Sequence, residues 1–170
     1  MGNQQRKTED TDLAWLAGFL DGEGSFVIIQ LAGKRLTELL EKNQRPYIAP
    51  RIVLVNTDEP TLGTVMAILD AHELPYHVSR RVGGINVRGN KNADSWDLRV
   101  QGMKRCKRWL DVLTPYLHTK KSQAQAMLDL IDSRLTDATW GEGYSGAELA
   151  LIESLRKRPR FAHRLHARPA

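Results

Sequence analysis

The sequence predicts an α+β domain whose elements run helix, strand, strand, helix, strand, strand, helix, with additional C-terminal helices. Three observations carry that prediction. Residues 11–21 and 59–72 place apolar side chains at offsets of three and four. Two pairs of short β-rich runs are each joined by a polar loop, and the chain after residue 102 returns to helical spacing. At 170 residues the chain is expected to form one domain, large enough to bury roughly 70% of its unfolded surface without disulfides. Its core falls at about residues 11–135, followed by a C-terminal helix at about 145–157 and a basic tail at 158–170.

In the first helix, Ala14, Ala17, Gly18 and Asp21 share one side, and Leu13, Leu16 and Leu20 form a neighbouring stripe. A glycine inside a helix costs about 1 kcal/mol relative to alanine. Beside Ala14 and Ala17, Gly18 leaves a bare surface on which a second helix can pack closely. Gly22 and Gly24 then end the helix and launch a strand, Ser25 to Leu31. Residues 34–46 read as a long basic hairpin loop leading to a second strand, Tyr47 to Asn56. Apolar residues fall on both faces of these two strands, so periodicity leaves open which face is solvated. Thr57 or Asp58 suits the N-cap of the next helix, Pro60 its first turn, and Leu62, Val65, Met66 and Leu69 its buried stripe. A third strand, Tyr76 to Val82, and a Gly/Asn-rich loop precede the fourth, in which Trp96, Leu98 and Val100 point inward and Asp97, Arg99 and Gln101 outward. A helix from Gly102 breaks at Pro115 and restarts, and a last helix runs from about Ser145 to Lys157.

Composition narrows the function classes. One cysteine, Cys106, excludes an internal disulfide and a cysteine-rich zinc cluster, and reads as a half-buried thiol. The polar N-terminus and the lack of any apolar run near 18 residues speak against a membrane partner. A reducing, intracellular setting is expected, cytoplasmic or within an organelle. The net charge of +5 is segregated: residues 78–108 carry +7, whereas residues 52–77 and 109–155 carry −4 each. Strand-like segments are thus cationic and helical ones mostly anionic, the footprint of a polyanion partner.

The acids Asp21 and Glu23 stand at the carboxyl end of the first helix, where the backbone already carries partial negative charge. A positive group belongs there. Exposed carbonyls beside a carboxylate are the oxygen ligands that a hard cation such as Mg²⁺ accepts. The whole stretch, Leu16-Ala17-Gly18-Phe19-Leu20-Asp21-Gly22-Glu23-Gly24, resembles the signature of the LAGLIDADG homing endonucleases. It occurs once, so the resemblance is to the single-motif, homodimeric, intron-encoded branch, with one αββαββα core per chain and an antiparallel β-saddle that reads DNA. A second segment, Pro115-Tyr116-Leu117 with Lys120, Gln123 and Ala124, is similar to the family stretch whose lysine enters the active site.

The resemblance implies a site-specific endonuclease that makes a metal-dependent double-strand break in a long pseudo-palindromic target, cutting across the minor groove and promoting intron homing. It implies Mg²⁺ as cofactor, with Mn²⁺ able to substitute and Ca²⁺ able to bind without supporting cleavage. Glu23 and the Gly22 carbonyl would hold the metal, Glu23 and Lys120 would be catalytic, and Asn56 would stand where the family orders water. Ala14, Ala17, Gly18 and Asp21 would lie at the homodimer interface. Pro60 stands where a homodimeric relative has arginine, so that either Arg51 or Lys121 compensates or turnover is weaker. For double-stranded DNA, Arg51, Arg80, Arg81, Asp97, Arg99 and Gln101 would face base edges, and Arg35, Arg45, Arg88 and Lys91 would hold phosphates. An RNA-binding maturase acting on intron RNA, or a DNA-binding regulator, would use the same fold without the chemistry. The basic tail suits either a nucleic-acid-binding arm or a solvated end.

Overall fold

Leucines 13, 16 and 20 follow helical spacing, and all three are buried together with Ala17. The computed structural model, which describes residues 2–30, 48–85, 87–136 and 143–156, carries their helix, α1, over Gly2–Glu23. It begins at Gly2 rather than near Thr11, because no proline or internal glycine interrupts the polar residues before Thr11. Gly22 does not end it either. The helix continues to Glu23, and β1, Gly24–Gln30, starts at the next residue. The basic hairpin loop with Arg35 and Arg45, and the tail at 158–170, lie outside the described residues.

The remaining elements follow the expected order. They are β2 (Ile48–Asn56), α2 (Glu59–Ala71), β3 (His77–Arg81), β4 (Ser95–Gln101), α3 (Met103–Leu113), a 3-10 turn (Thr114–Tyr116), α4 (Lys121–Thr136) and α5 (Gly146–Arg156). Of the two possible caps for α2, Asp58 is the one used, its carboxylate accepting the Thr61 N–H at 3.0 Å. Gly102, with φ of 96°, makes the sharp turn from β4 into α3.

The four strands form one antiparallel sheet in the order β1-β2-β4-β3. Gly24 pairs with Leu54, Arg51 with Gln101, Val53 with Arg99, and His77 with Arg99. Because side chains alternate along a strand, this register settles the ambiguity of the first two strands. Phe26, Ile48, Ile52, Leu54, Leu98 and Val100 share one face and are buried. Helices cover that face with Leu62, Val65 and Leu69 of α2, Trp109, Leu110 and Leu113 of α3, and Met127, Leu130 and Ile131 of α4. Trp109 Nε1 donates to the Pro75 carbonyl at 2.9 Å, which satisfies its one polar atom inside the core. Cys106 is fully buried rather than half-buried, and burial pushes its thiol up to about 12. It is a packing residue, not a reactive one.

The other face of the sheet carries Ser25, Val27, Arg51, Val53, Val55, His77, Ser79, Arg81, Arg99 and Gln101, and among the described residues no helix packs a core against it.

The junction between α1 and β1 generates a stability prediction. A Cβ on Gly24 would lie 2.7 Å from the Leu20 carbonyl oxygen, whereas one on Gly22 meets nothing within 4 Å. Gly24→Ala is expected to lower the unfolding free energy by about 2 kcal/mol, and Gly22→Ala to leave it unchanged or raise it by up to about 1 kcal/mol. Urea titration of both variants checks the contrast.

Candidate active site and nucleic-acid interface

The carboxyl end of α1 is locked to the start of α4 by a reciprocal clasp. The Asp21 carboxylate accepts the backbone N–H groups of His118 at 2.7 Å, Thr119 at 3.1 Å and Lys120 at 2.8 Å. In return, Lys120 Nζ donates to the carbonyls of Leu20 at 2.8 Å and Asp21 at 2.7 Å. An anion therefore sits where a helix begins and a cation where a helix ends, each in the field that favours it. The positive group that the two acids call for is Lys120.

The same contacts set the protonation states. Burial opposes ionisation of Asp21, but the three backbone N–H groups and the Lys120 charge outweigh it and hold the carboxyl below its usual 3.8. Burial pushes the Lys120 ammonium below the usual lysine range, against the opposing pull of Asp21 and Glu23. Glu23 is thus near enough for its charge to act on Lys120, while its own side chain is exposed. Asn56 stands two residues beyond the last β1–β2 pair, at the same end of the sheet as Glu23. Its Oδ1 accepts the Asp58 N–H at 2.8 Å, which leaves the amide nitrogen as its donor toward water.

The donor set fits half of a metal site. Among the described residues, no group of three or more His, Cys, Asp or Glu side chains can hold a metal ion. One chain brings one exposed carboxylate, Glu23, next to the carbonyls of a helix end. Two of those carbonyls already hold a cation, the Lys120 ammonium, and the Gly22 carbonyl follows directly in sequence. A cation held there would need further oxygen ligands beyond these.

Two of the four residues expected at a dimer interface are placed differently. Ala17 is fully buried under its own chain, because it falls on the leucine side of α1, and the Asp21 carboxylate is turned into the clasp. Ala14 and Gly18 are exposed, on a stripe that continues through Thr11 and Gly22. Beside them Trp15, 43% exposed, stacks on Phe19 with ring centroids 5.4 Å apart. The sequence carried a signal for this pair, two aromatics four residues apart outside the leucine stripe.

On the open face of the sheet, Arg51 Nε and Nη2 donate to Gln101 Oε1 at 3.1 and 2.6 Å, so the two side chains form one polar unit. Arg51 lies three residues, about 10 Å, along β2 from Leu54, the partner of Gly24. It is too far along the sheet to replace the arginine missing at Pro60, whereas exposed Lys121 adjoins Lys120. Two of the expected DNA contacts need correction. Asp97 is only 2% exposed, because Arg81 forms an ion pair across it and is the group presented to solvent. Arg80 points to the opposite face, over the Trp96 ring at 5.7 Å and paired with Asp94 at 2.6 Å. Arg81 and Arg99 share the open face as expected, and Arg88 and Lys91 stand exposed on the β3–β4 hairpin.

A four-stranded antiparallel sheet with one open cationic face, backed by helices and ending in an acid–lysine cluster, defines an α+β scaffold of a known class. The scaffold is the LAGLIDADG homing endonuclease fold. The chain is similar to the homing endonuclease I-CvuI, solved with a DNA target, at 21% identity and a TM-score of 0.60 over 90% of this chain and 87% of that one. It is also similar to the archaeal intron-encoded homing endonuclease I-Vdi141I, complexed with DNA, at 14% identity and a TM-score of 0.61 over 87% and 84% of the two chains. Against the LAGLIDADG meganuclease I-CpaMI, bound to uncleaved DNA, identity is 16% and the TM-score 0.51, over 85% of this chain and 50% of that one. No protein-family model and no curated protein sequence matches the chain.

The depressed Asp21 carboxyl has a sign that can be tested. Its folded-state value lies below 3.8, so its contribution is present above the unfolded value and is lost as pH falls through the folded one. Asp21→Ala is expected to cost about 2 kcal/mol at pH 7, since hydrogen bonds to a charged group are broken. The deficit relative to native should shrink below pH 4. Urea unfolding of both proteins between pH 2.5 and 7 checks it.

Proposed function

We propose that the chain is a site-specific DNA endonuclease that works as a homodimer and makes a metal-dependent double-strand break in a long pseudo-palindromic target, promoting homing of its intron. The observation that carries this reading is the cluster at the end of α1, where exposed Glu23 and the clasped Lys120 stand together beside an open cationic sheet face. A structural cap alone needs Asp21 and the N–H groups it accepts. It does not need a second, exposed acid or a partly buried ammonium beside it.

In this mechanism the sheet binds first. Arg51 with Gln101, Arg81 held on Asp97, and Arg99 face base edges in the major groove, where Arg and Gln find guanine and adenine. Arg88 and Lys91 hold phosphates and so fix the register of the duplex. The exposed strip Ala14, Gly18 and Gly22 with the Trp15–Phe19 stack packs against its copy, which brings two Glu23 carboxylates to the dimer axis. Symmetry of the dimer then favours a pseudo-palindromic site. Glu23 and the Gly22 carbonyl would hold Mg²⁺, which when bound would supply charge neutralisation at the scissile phosphate and a more acidic water. The Lys120 ammonium, kept in place by the clasp, stabilises charge that grows on the phosphoryl and leaving oxygens. Asn56, its Oδ1 occupied by Asp58, orients water through the amide nitrogen. The Glu23–Lys120 pairing favours this reading over a maturase or a regulator, neither of which needs the pair.

The test is cleavage of duplex DNA spanning the intron-insertion junction. Native protein should cut both strands in Mg²⁺ and bind without cutting in Ca²⁺. Glu23→Gln should bind in Ca²⁺ within about threefold of native and not cut, and Lys120→Met should lower kcat by about 10²- to 10³-fold. Tight binding without cutting by any of the proteins would contradict the reading.

A further inference from the structure

Among the described residues, the large hydrophobic side chains left most open to solvent are Val82 at 77%, Ile85 at 78% and Val87 at 105%. All three stand on the single hairpin between β3 and β4. Among the described residues the next most exposed aliphatic side chain is Val55 at 36%, so three far more exposed ones together on one loop call for a partner.

The hairpin is a built structure. Ile85 bridges to Lys91, the Asn92 N–H donates to the Gly84 carbonyl at 2.9 Å, and the Gly83 N–H donates to Asp94 Oδ1 at 2.8 Å. Asp94 is itself anchored by Arg80 at 2.6 Å. A Cβ on Gly83 would lie 1.9 Å from the Asn92 carbonyl oxygen, so the two arms are pressed together and only glycine fits. None of these contacts uses the three aliphatic side chains. They are held out by polar contacts and the backbone, and they take no part in the folding of their own hairpin.

Charge and position select the partner. Residues 82–93 contain Arg88 and Lys91 and no acid, which suits a polyanion and opposes a basic protein surface. The hairpin leaves the sheet from Arg81 and Ser95, at the end where Asn56 pairs with Trp96, which is also the end where β1 begins beside Glu23. A duplex lying on the open sheet face passes this hairpin at the same end of the sheet as the acid cluster. The one apolar group a duplex displays in its major groove is the thymine C5-methyl.

We propose that Ile85 and Val87, with Val82 behind them, read thymine by packing against its C5-methyl group, so that the hairpin adds an apolar specificity contact to the polar contacts of the sheet. The inference rests on the endonuclease reading. It assigns to aliphatic side chains a direct contact with thymine, whereas the Arg and Gln residues of the sheet face read guanine and adenine, and it gives Arg88 and Lys91 the role of holding the hairpin to the backbone.

The experiment is selection from a library of randomised duplexes in Ca²⁺ with the full native chain and with the double variant Ile85→Ser, Val87→Ser, followed by deoxyuridine replacement in the selected site. The native protein should enrich thymine at one or more matched positions in the two half-sites, and the variant should lose that enrichment there alone. Replacing that thymine with deoxyuridine should weaken native binding about fourfold, the effect of one buried methyl group, and leave the variant unchanged. Thymine enrichment that survives in the variant, or a deoxyuridine site bound as tightly as thymine by the native chain, overturns the proposal while leaving the endonuclease reading intact. Enrichment of no sequence by either protein overturns the endonuclease reading, and the proposal with it.

Discussion

The exchange between Asp21 and the 118–120 segment is the contact on which the rest of the site depends. It joins two helix ends of opposite polarity across some hundred residues of sequence, from the motif helix to the start of α4. Either half alone would leave an unmet demand: carbonyls without donors at the end of α1, or N–H groups without an acceptor at the start of α4. Together they satisfy both, and they place Lys120, whose burial lowers its hold on a proton, within reach of the charge of the exposed Glu23. The placement of these side chains is thereby built into the stability of the fold. A site with this property keeps its geometry before any ligand arrives.

The sheet divides labour by its alternation. Helices and core take the face with Phe26, Ile52, Leu54, Leu98 and Val100, and the residues between them are left to face outward. That constraint explains why adjacent arginines differ in role. Arg81 falls on the open face and covers Asp97, whereas Arg80, one residue earlier, is turned over Trp96 and braces the hairpin through Asp94. A one-residue shift in β3 would exchange the two and place the hairpin anchor on the open face.

Much of this was legible in the sequence because the signals are local. The leucine spacing of α1, the Asp58 cap and Pro60 at the start of α2, the clean alternation of β4 and the break at Pro115 each lie within a few residues of the element they define. The nine-residue motif named Glu23, and the short segment after Pro115 named Lys120. What escaped was non-local. Asp21 read as an interface residue because its spacing matches Ala14 and Gly18, yet its partners are the backbone of residues 118–120, for which side-chain identity gives no signal. Ala17 sits on the border between the leucine stripe and the bare one, and packing decided its side. Asp97 has the alternation of a solvated residue, and only the cross-strand neighbour Arg81 covers it. The first two strands carried apolar residues on both faces, so their orientation waited on the register with β4.

The central claim is that the end of α1 is half of a metal site, completed when a second chain and a phosphate meet it. The most direct test is a crystal structure of the full chain with a duplex it selects, soaked in Mn²⁺ and phased on the manganese anomalous signal. Manganese peaks against the Glu23 carboxylates of two chains, in contact with phosphate oxygens and with Lys120 alongside, are the expected result. Manganese absent from Glu23, or a lone chain on the duplex, would contradict the account.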